Sequence, residues 1–166
     1  MGADSNIIEA SGAVLEQAET HGATGPTILR AVVDSAGAVL AGGDFRFLAM
    51  ANPKLAPYGV AAQQVLRACG AEAGLRGRIV RGENIAQTFQ FVQSGNAQLG
   101  FVALAQIKRP GDPGAGSSWQ IPQALYEPIR QEAVLLRDSV PGRALLEFVR
   151  SSGAKTIIRA YGYDIP

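Results

Sequence analysis

Phe45-Arg46-Phe47-Leu48-Ala49-Met50-Ala51-Asn52-Pro53-Lys54-Leu55-Ala56-Pro57-Tyr58-Gly59 is the stretch whose reading decides the fold. Its first six residues are mostly apolar and suit a short buried strand. A loop with two prolines follows. Pro57 stands where the first turn of a helix begins, and its missing N–H costs nothing there. Downstream, Val60, Ala61, Val65, Leu66 and Cys69 recur at helical spacing, which predicts a helix over 58–69 that Gly70 stops. A second short strand falls within 77–82. Asn84 is a good N-cap for a helix over 85–93, with Ile85, Phe89 and Val92 inward. A third strand covers 98–104. Strand, helix, strand, helix, strand is the alternation of an α/β fold, a parallel sheet with helices on its faces.

Further out the signal weakens. Residues 109–118 are rich in Gly, Pro and Ser and read as a surface loop. A fourth strand is expected over 132–137 from the run Ala133-Val134-Leu135-Leu136. Pro141 then opens a helix over 142–150, and a second helix over 154–161 ends at Gly162. On the other side, 34–43 reads as a turn-rich connector and 27–34 as strand or helix. Residues 1–22 read as a loop and then a helix, capped by Ser5, with Ile7, Ile8, Val14, Leu15 and Ala18 near one face. There is no internal repeat.

The 166 residues allow one domain or a pair of small lobes. Lys and Arg number 15 against 14 Asp and Glu, so a net charge of +1 leaves no electrostatic footprint for nucleic acid. The single cysteine, Cys69, excludes an intrachain disulfide, and the single histidine, His21, argues against a histidine-built catalytic or metal site. No stretch approaches the roughly 18 apolar residues of a membrane span, so no membrane insertion is expected. The first residues, Met1-Gly2-Ala3-Asp4-Ser5, lack the pattern of a signal peptide.

The places where chemistry could reside are two strand-to-helix junctions, around Pro57-Tyr58-Gly59 and around Gly82-Glu83-Asn84-Ile85-Ala86. Each lies at the carboxyl end of an expected parallel strand, where open α/β sheets bind ligands. Each offers unpaired N–H groups at a helix N-terminus, which suit an anion held by neutral donors. Neither a G-x-x-x-x-G-K-[ST] nor a G-x-G-x-x-G run is present, which favours a small oxyanion over a nucleotide. Plainer readings stand beside this one. By spacing alone Tyr58 reads first as a half-buried packing tyrosine and only second as a ligand contact, Lys54 as a solvated loop charge, and Glu83 as a carboxylate complementing a helix dipole. Cys69 reads as inert core, Trp119 as an anchor for the loop before it, and His21 as an exposed helix end.

Residues 45–59 closely resemble a motif in the second lobe of the periplasmic molybdate-binding proteins that serve ABC importers. So do Gly82-Glu83-Asn84-Ile85-Ala86-Gln87-Thr88-Phe89-Gln90-Phe91-Val92 and Gly95-Asn96-Ala97-Gln98-Leu99-Gly100-Phe101-Val102-Ala103-Leu104. The tail, Tyr126-Glu127-Pro128-Ile129-Arg130 and Ile158-Arg159-Ala160-Tyr161-Gly162-Tyr163, is similar as well. The likeness runs in order from about Val33 to Pro166. It implies a periplasmic-binding-protein-like α/β lobe with a parallel or mixed sheet. It implies a molybdate or tungstate ligand, an ABC permease as partner, a periplasmic location, no cofactor and no enzymatic activity. It carries ligand contacts onto Tyr58 and onto the backbone N–H of Ile85. Some members add a tyrosine at the end of the Gly-Phe-Val strand, where this chain has Ala103.

The expected division is a leader of unclear relation at 1–32, a second lobe at 33–131, and a return strand with C-terminal helices of an incomplete first lobe at 132–166. Several of Leu145, Leu146, Phe148, Val149, Ile157 and Ile158 should then lose their partner, leaving an exposed apolar patch or a poorly anchored tail. Two rival functions remain: a truncated fragment that keeps the fold of one lobe without binding, and a small α/β enzyme acting on a phosphate ester, with Glu83 as its acid or base.

Overall fold

A computed structural model describes residues 13–15, 38–42, 45–107 and 118–165. In chain order its elements are β1 (Ala13–Leu15), α1 (Ala38–Gly42), β2 (Leu48–Ala51), α2 (Pro57–Ala68), β3 (Ile79–Gly82), α3 (Ile85–Gln93), β4 (Leu99–Val102), α4 (Leu104–Ile107), β5 (Ser118–Trp119), a 3-10 turn at Gln123–Leu125, α5 (Val140–Arg150) and α6 (Ser152–Ala160). The strands form one sheet in the order β3-β2-β4-β1-β5. β2 pairs in parallel with β3 and β4, while β1 pairs antiparallel with β4 and β5.

All four residues of β2 and all four of β4 are buried, as strands covered on both faces must be. Alternation sorts them. Leu48, Met50, Leu99 and Phe101 pack with Ala61, Ala62, Val65 and Leu66 of α2. Ala49 and Val102 face Val92 of α3. Fully burying residues such as Leu66 and Leu99 stabilises the fold by about 1.5–3 kcal/mol each. The central alternation expected from the sequence therefore forms, with α2 and α3 on opposite faces of a mixed sheet.

Several expectations shift. The first strand begins at Leu48 and not at Phe45, because the ladder starts where Leu48 meets both Ile79 and Leu99. Phe45 is buried before that point, with the Arg78 guanidinium 4.4 Å above its ring. The connector at 34–43 contains one helical turn, α1, which inserts Leu40 into the core.

Ala13–Leu15, expected in a helix, is a strand. Val14 lies opposite Phe101 on one side and Trp119 on the other, and this long-range pairing overrides the local helical spacing. The remaining N-terminal readings, Ser5, Ile7, Ile8, Ala18, His21 and the 27–34 segment, lie outside the described residues, as does most of the 109–118 loop.

The strand expected at 132–137 does not form. That segment is irregular, with Val134 79% and Leu136 93% exposed. An apolar run makes a buried strand only where a sheet edge receives it, and none of the described strands pairs with this one. The two C-terminal helices do form, each capped by a serine. Ser139 accepts from the Gly142 N–H at 3.2 Å, and Ser151 accepts from the Ala154 N–H at 3.2 Å. As expected, Leu145, Phe148, Val149 and Ile157 are exposed, while Leu146 and Ile158 are partly covered.

Candidate functional site

The carboxyl ends of β3, β2 and β4 lie side by side, so the loops that follow them open on one edge of the sheet. After β2, Asn52 organises the turn. Its carbonyl accepts from the Leu55 and Ala56 N–H groups at 2.9 Å each, and its side-chain oxygen accepts from the Lys54 N–H at 3.1 Å. Asn52 also donates its own N–H to the Gly82 carbonyl at 2.7 Å. That bond ties the first junction to the second.

Both helices approach their strands through a glycine. A Cβ at Gly59 would collide with the Ala51 carbonyl oxygen and stand 2.6 Å from the Pro53 nitrogen. A Cβ at Gly82 would stand 2.6 Å from Thr88 Oγ1 and 2.8 Å from the Thr88 nitrogen. Any larger residue would push a helix N-terminus away from the sheet edge.

The donors left at these termini follow from bookkeeping of the first turns. In α2 the N-cap, Ala56, has no side-chain acceptor, Pro57 has no N–H, and the Gly59 and Val60 N–H groups go to the Ala56 carbonyl. Tyr58 keeps its N–H without a partner among the described residues. In α3, Asn84 Oδ1 accepts from the Gln87 N–H at 2.9 Å, and Gln87 Oε1 reaches back to the Glu83 N–H at 2.7 Å. This reciprocal cap leaves the N–H groups of Ile85 and Ala86 unpartnered among the described residues.

A third junction supports the second. Gln106 in α4 accepts from the Ala103 N–H at 2.8 Å and donates to the Ile85 carbonyl at 3.3 Å. Buried Ala103 and Leu104 seat a small apolar cluster onto which Tyr58, Ile85, Ile107 and Tyr163 all pack. The two residues singled out from the sequence are thus brought together on one floor. Tyr58 is half-buried, and its phenol is held well above the usual tyrosine pKa by burial first, then by the Tyr163 and Tyr126 phenols. It stays a neutral O–H donor across the physiological range.

The plainer readings are also placed. Tyr58 packs against the main core as well as the junction cluster. Lys54 and Glu83 are exposed, Cys69 lies partly buried against the core, and Trp119 is buried within it. A groove of about 430 Å³ is bounded by the Pro53–Pro57 loop, the start of α2 and residues 127–130. Lys54, Gln64, Glu127 and Arg130 line it, so its charges are mixed, and it includes neither Tyr58 nor Ile85. Among the described residues there is no cluster of three metal-ligating side chains, and no helix is long and apolar enough to cross a membrane.

Sequence reasoning missed Asn52, Gln87, Gln106 and Tyr163. The Asn84-x-x-Gln87 spacing is a capping-box variant and was a usable signal for Gln87. Nothing in local spacing announces the other three.

Residues 10–164 match the family model described as bacterial extracellular solute-binding protein. The molybdate-binding protein ModA of Azotobacter vinelandii is 47% identical over 136 residues, covering 80% of this chain and 54% of that protein. The ModA protein of Rhodobacter capsulatus is 45% identical over 134 residues, covering 79% of this chain and 52% of that protein. The chain therefore spans about half the length of these curated relatives. The solved structure of an Azotobacter vinelandii periplasmic molybdate-binding protein superposes with a TM-score of 0.80 at 34% identity, covering 100% of this chain and 70% of that one. The family model covers nearly the whole length of the chain, and the chain belongs to the family of bacterial extracellular solute-binding proteins.

Proposed function

We propose that this chain binds molybdate, or the similarly shaped tungstate, as the solute-binding component of an ABC importer in the periplasm. The observation that carries the reading is the pair of helix N-termini, tied by the Asn52–Gly82 bond, that leaves the N–H groups of Tyr58 and Ile85 unpartnered beside a neutral phenol. Tyr58 is the side-chain contact and Ile85 contributes its backbone N–H. The names of the relatives supply the ligand, and the sheet-edge donors are what such a ligand needs.

The chemistry follows from the donor set. Each helix N-terminus acts as roughly half a positive charge, so two of them offset about one unit of a dianion without any Lys or Arg. Every group here donates. A fully deprotonated oxyanion accepts from all of them, whereas hydrogen phosphate brings an O–H that finds no acceptor, and an unsatisfied polar group is costly. Binding and release, with no bond made or broken, is the role we assign, so the reading is of a binding protein and not an enzyme. A permease partner belongs to the same reading, and so does the assignment of 33–131 to one lobe and of the C-terminal helices to another.

Calorimetry tests this. Molybdate and tungstate should each give a saturable heat, with phosphate, which carries an O–H at neutral pH, binding at least tenfold more weakly. No heat from molybdate at millimolar concentration would overturn the reading.

A further inference from the structure

The donors counted so far are too few for a tetrahedral dianion, whose four oxygens each accept hydrogen bonds. The structure carries one more hydroxyl to the same floor, from the far end of the chain. Helix α6 ends in a turn at Gly162, which has φ 88° and donates its N–H to the Arg159 carbonyl at 2.9 Å. The Tyr163 N–H bonds the Ile158 carbonyl at 3.3 Å, completing the αL-type helix stop. Arg159 Nη2 then donates to the Ile165 carbonyl at 3.1 Å and pins the last residues back onto the helix. This fixed turn points two tyrosines differently: Tyr161 is 39% exposed, whereas Tyr163 is drawn in against Ala103 and Leu104, beside Tyr58 and Ile85.

We infer that Tyr163 is a further ligand-contacting residue, its phenol O–H supplying an additional donor to the oxyanion held by Tyr58 and the Ile85 N–H. The residue after β4, Ala103, is too small to reach a ligand, and Tyr163 packs against it. The Tyr163 phenol is near enough to act electrostatically on the Tyr58 phenol, as the Tyr126 phenol also does. The C-terminal tail is then part of the binding site and not only a helix stop.

This inference rests on the oxyanion reading, and the experiment separates the two. Molybdate affinity is measured by calorimetry for the unaltered chain, Tyr163→Phe, Tyr163→Ala and Tyr58→Phe. A hydrogen bond to a charged group implies about a tenfold or greater loss in Tyr163→Phe, with Tyr163→Ala no better. A packing role predicts instead that Tyr163→Phe binds like the unaltered chain and only Tyr163→Ala is weakened, and that pattern overturns the inference while the function stands. If the unaltered chain binds no molybdate, the oxyanion reading falls and takes this inference with it. A second measurement needs no variant: saturating molybdate should slow hydrogen exchange at the amides of residues 161–165, and unchanged exchange there counts against a contact from Tyr163.

Discussion

Helices α2 and α5 begin from the same ingredients and end in different surroundings. Each carries a proline in its first turn and an arginine in its last, and they run 12 and 11 residues. Both concentrate apolar residues on one side. Yet α2 buries Gly59, Ala61, Ala62, Val65 and Leu66, while α5 buries none of its residues. In α5, Leu145 is 62% and Phe148 58% exposed. Amphipathicity states that a face requires a partner, and the sheet supplies one to α2 and not to α5. Buried apolar contact is thereby concentrated in the sheet region.

The sharpest way to break this contrast is to truncate both cores. Leu66→Ala should cost about 2–5 kcal/mol in urea unfolding, because it leaves a cavity under α2. Gly59→Ala should cost about 1–3 kcal/mol, since its methyl group would meet backbone that must move, and it should weaken molybdate binding in calorimetry by displacing Tyr58. Asn84→Ala removes the cap of α3 and should cost about 1 kcal/mol in the same unfolding assay.

Alkaline titration followed by tyrosine absorbance should find Tyr58 still protonated above the ordinary tyrosine pKa, and Tyr58→Phe should remove that late-ionising phase. The folded-state pKa is raised, so its contribution to stability is complete below the ordinary tyrosine value and is lost as pH climbs above it. A Tyr58 that ionised at the ordinary tyrosine value would show the junction cluster to be open to water. Smallest of all, Phe148→Ser on the exposed face of α5 should change stability by no more than about 0.5 kcal/mol. A cost near that of Leu66→Ala would show that the α5 face is covered in solution.

Much of the sheet region was legible because its punctuation is local. Asn84 fixes the start of α3, and the helix runs Ile85–Gln93 as the spacing predicts. Pro57 does the same for α2. The two junctions stand out because strand ends and caps are written in adjacent residues. What failed was whatever depends on a distant partner. Ala13-Val14-Leu15 is too short to reveal that Phe101 and Trp119 flank it. Ala133-Val134-Leu135-Leu136 has the composition of a buried strand and no sheet edge to enter. Tyr163 lies about eighty residues from Ile85 in sequence, and no periodicity links them, yet both rest on Ala103 and Leu104.

The Asn52–Gly82 bond has a metrical consequence. It extends the parallel pairing of β2 and β3 by one hydrogen bond beyond the end of β2, so the loops leading into the two helices leave the sheet from adjacent strands, about 4.8 Å apart. An anion gripped at both junctions would be held by backbone whose spacing the sheet sets and which the close-packed Gly59 and Gly82 preserve.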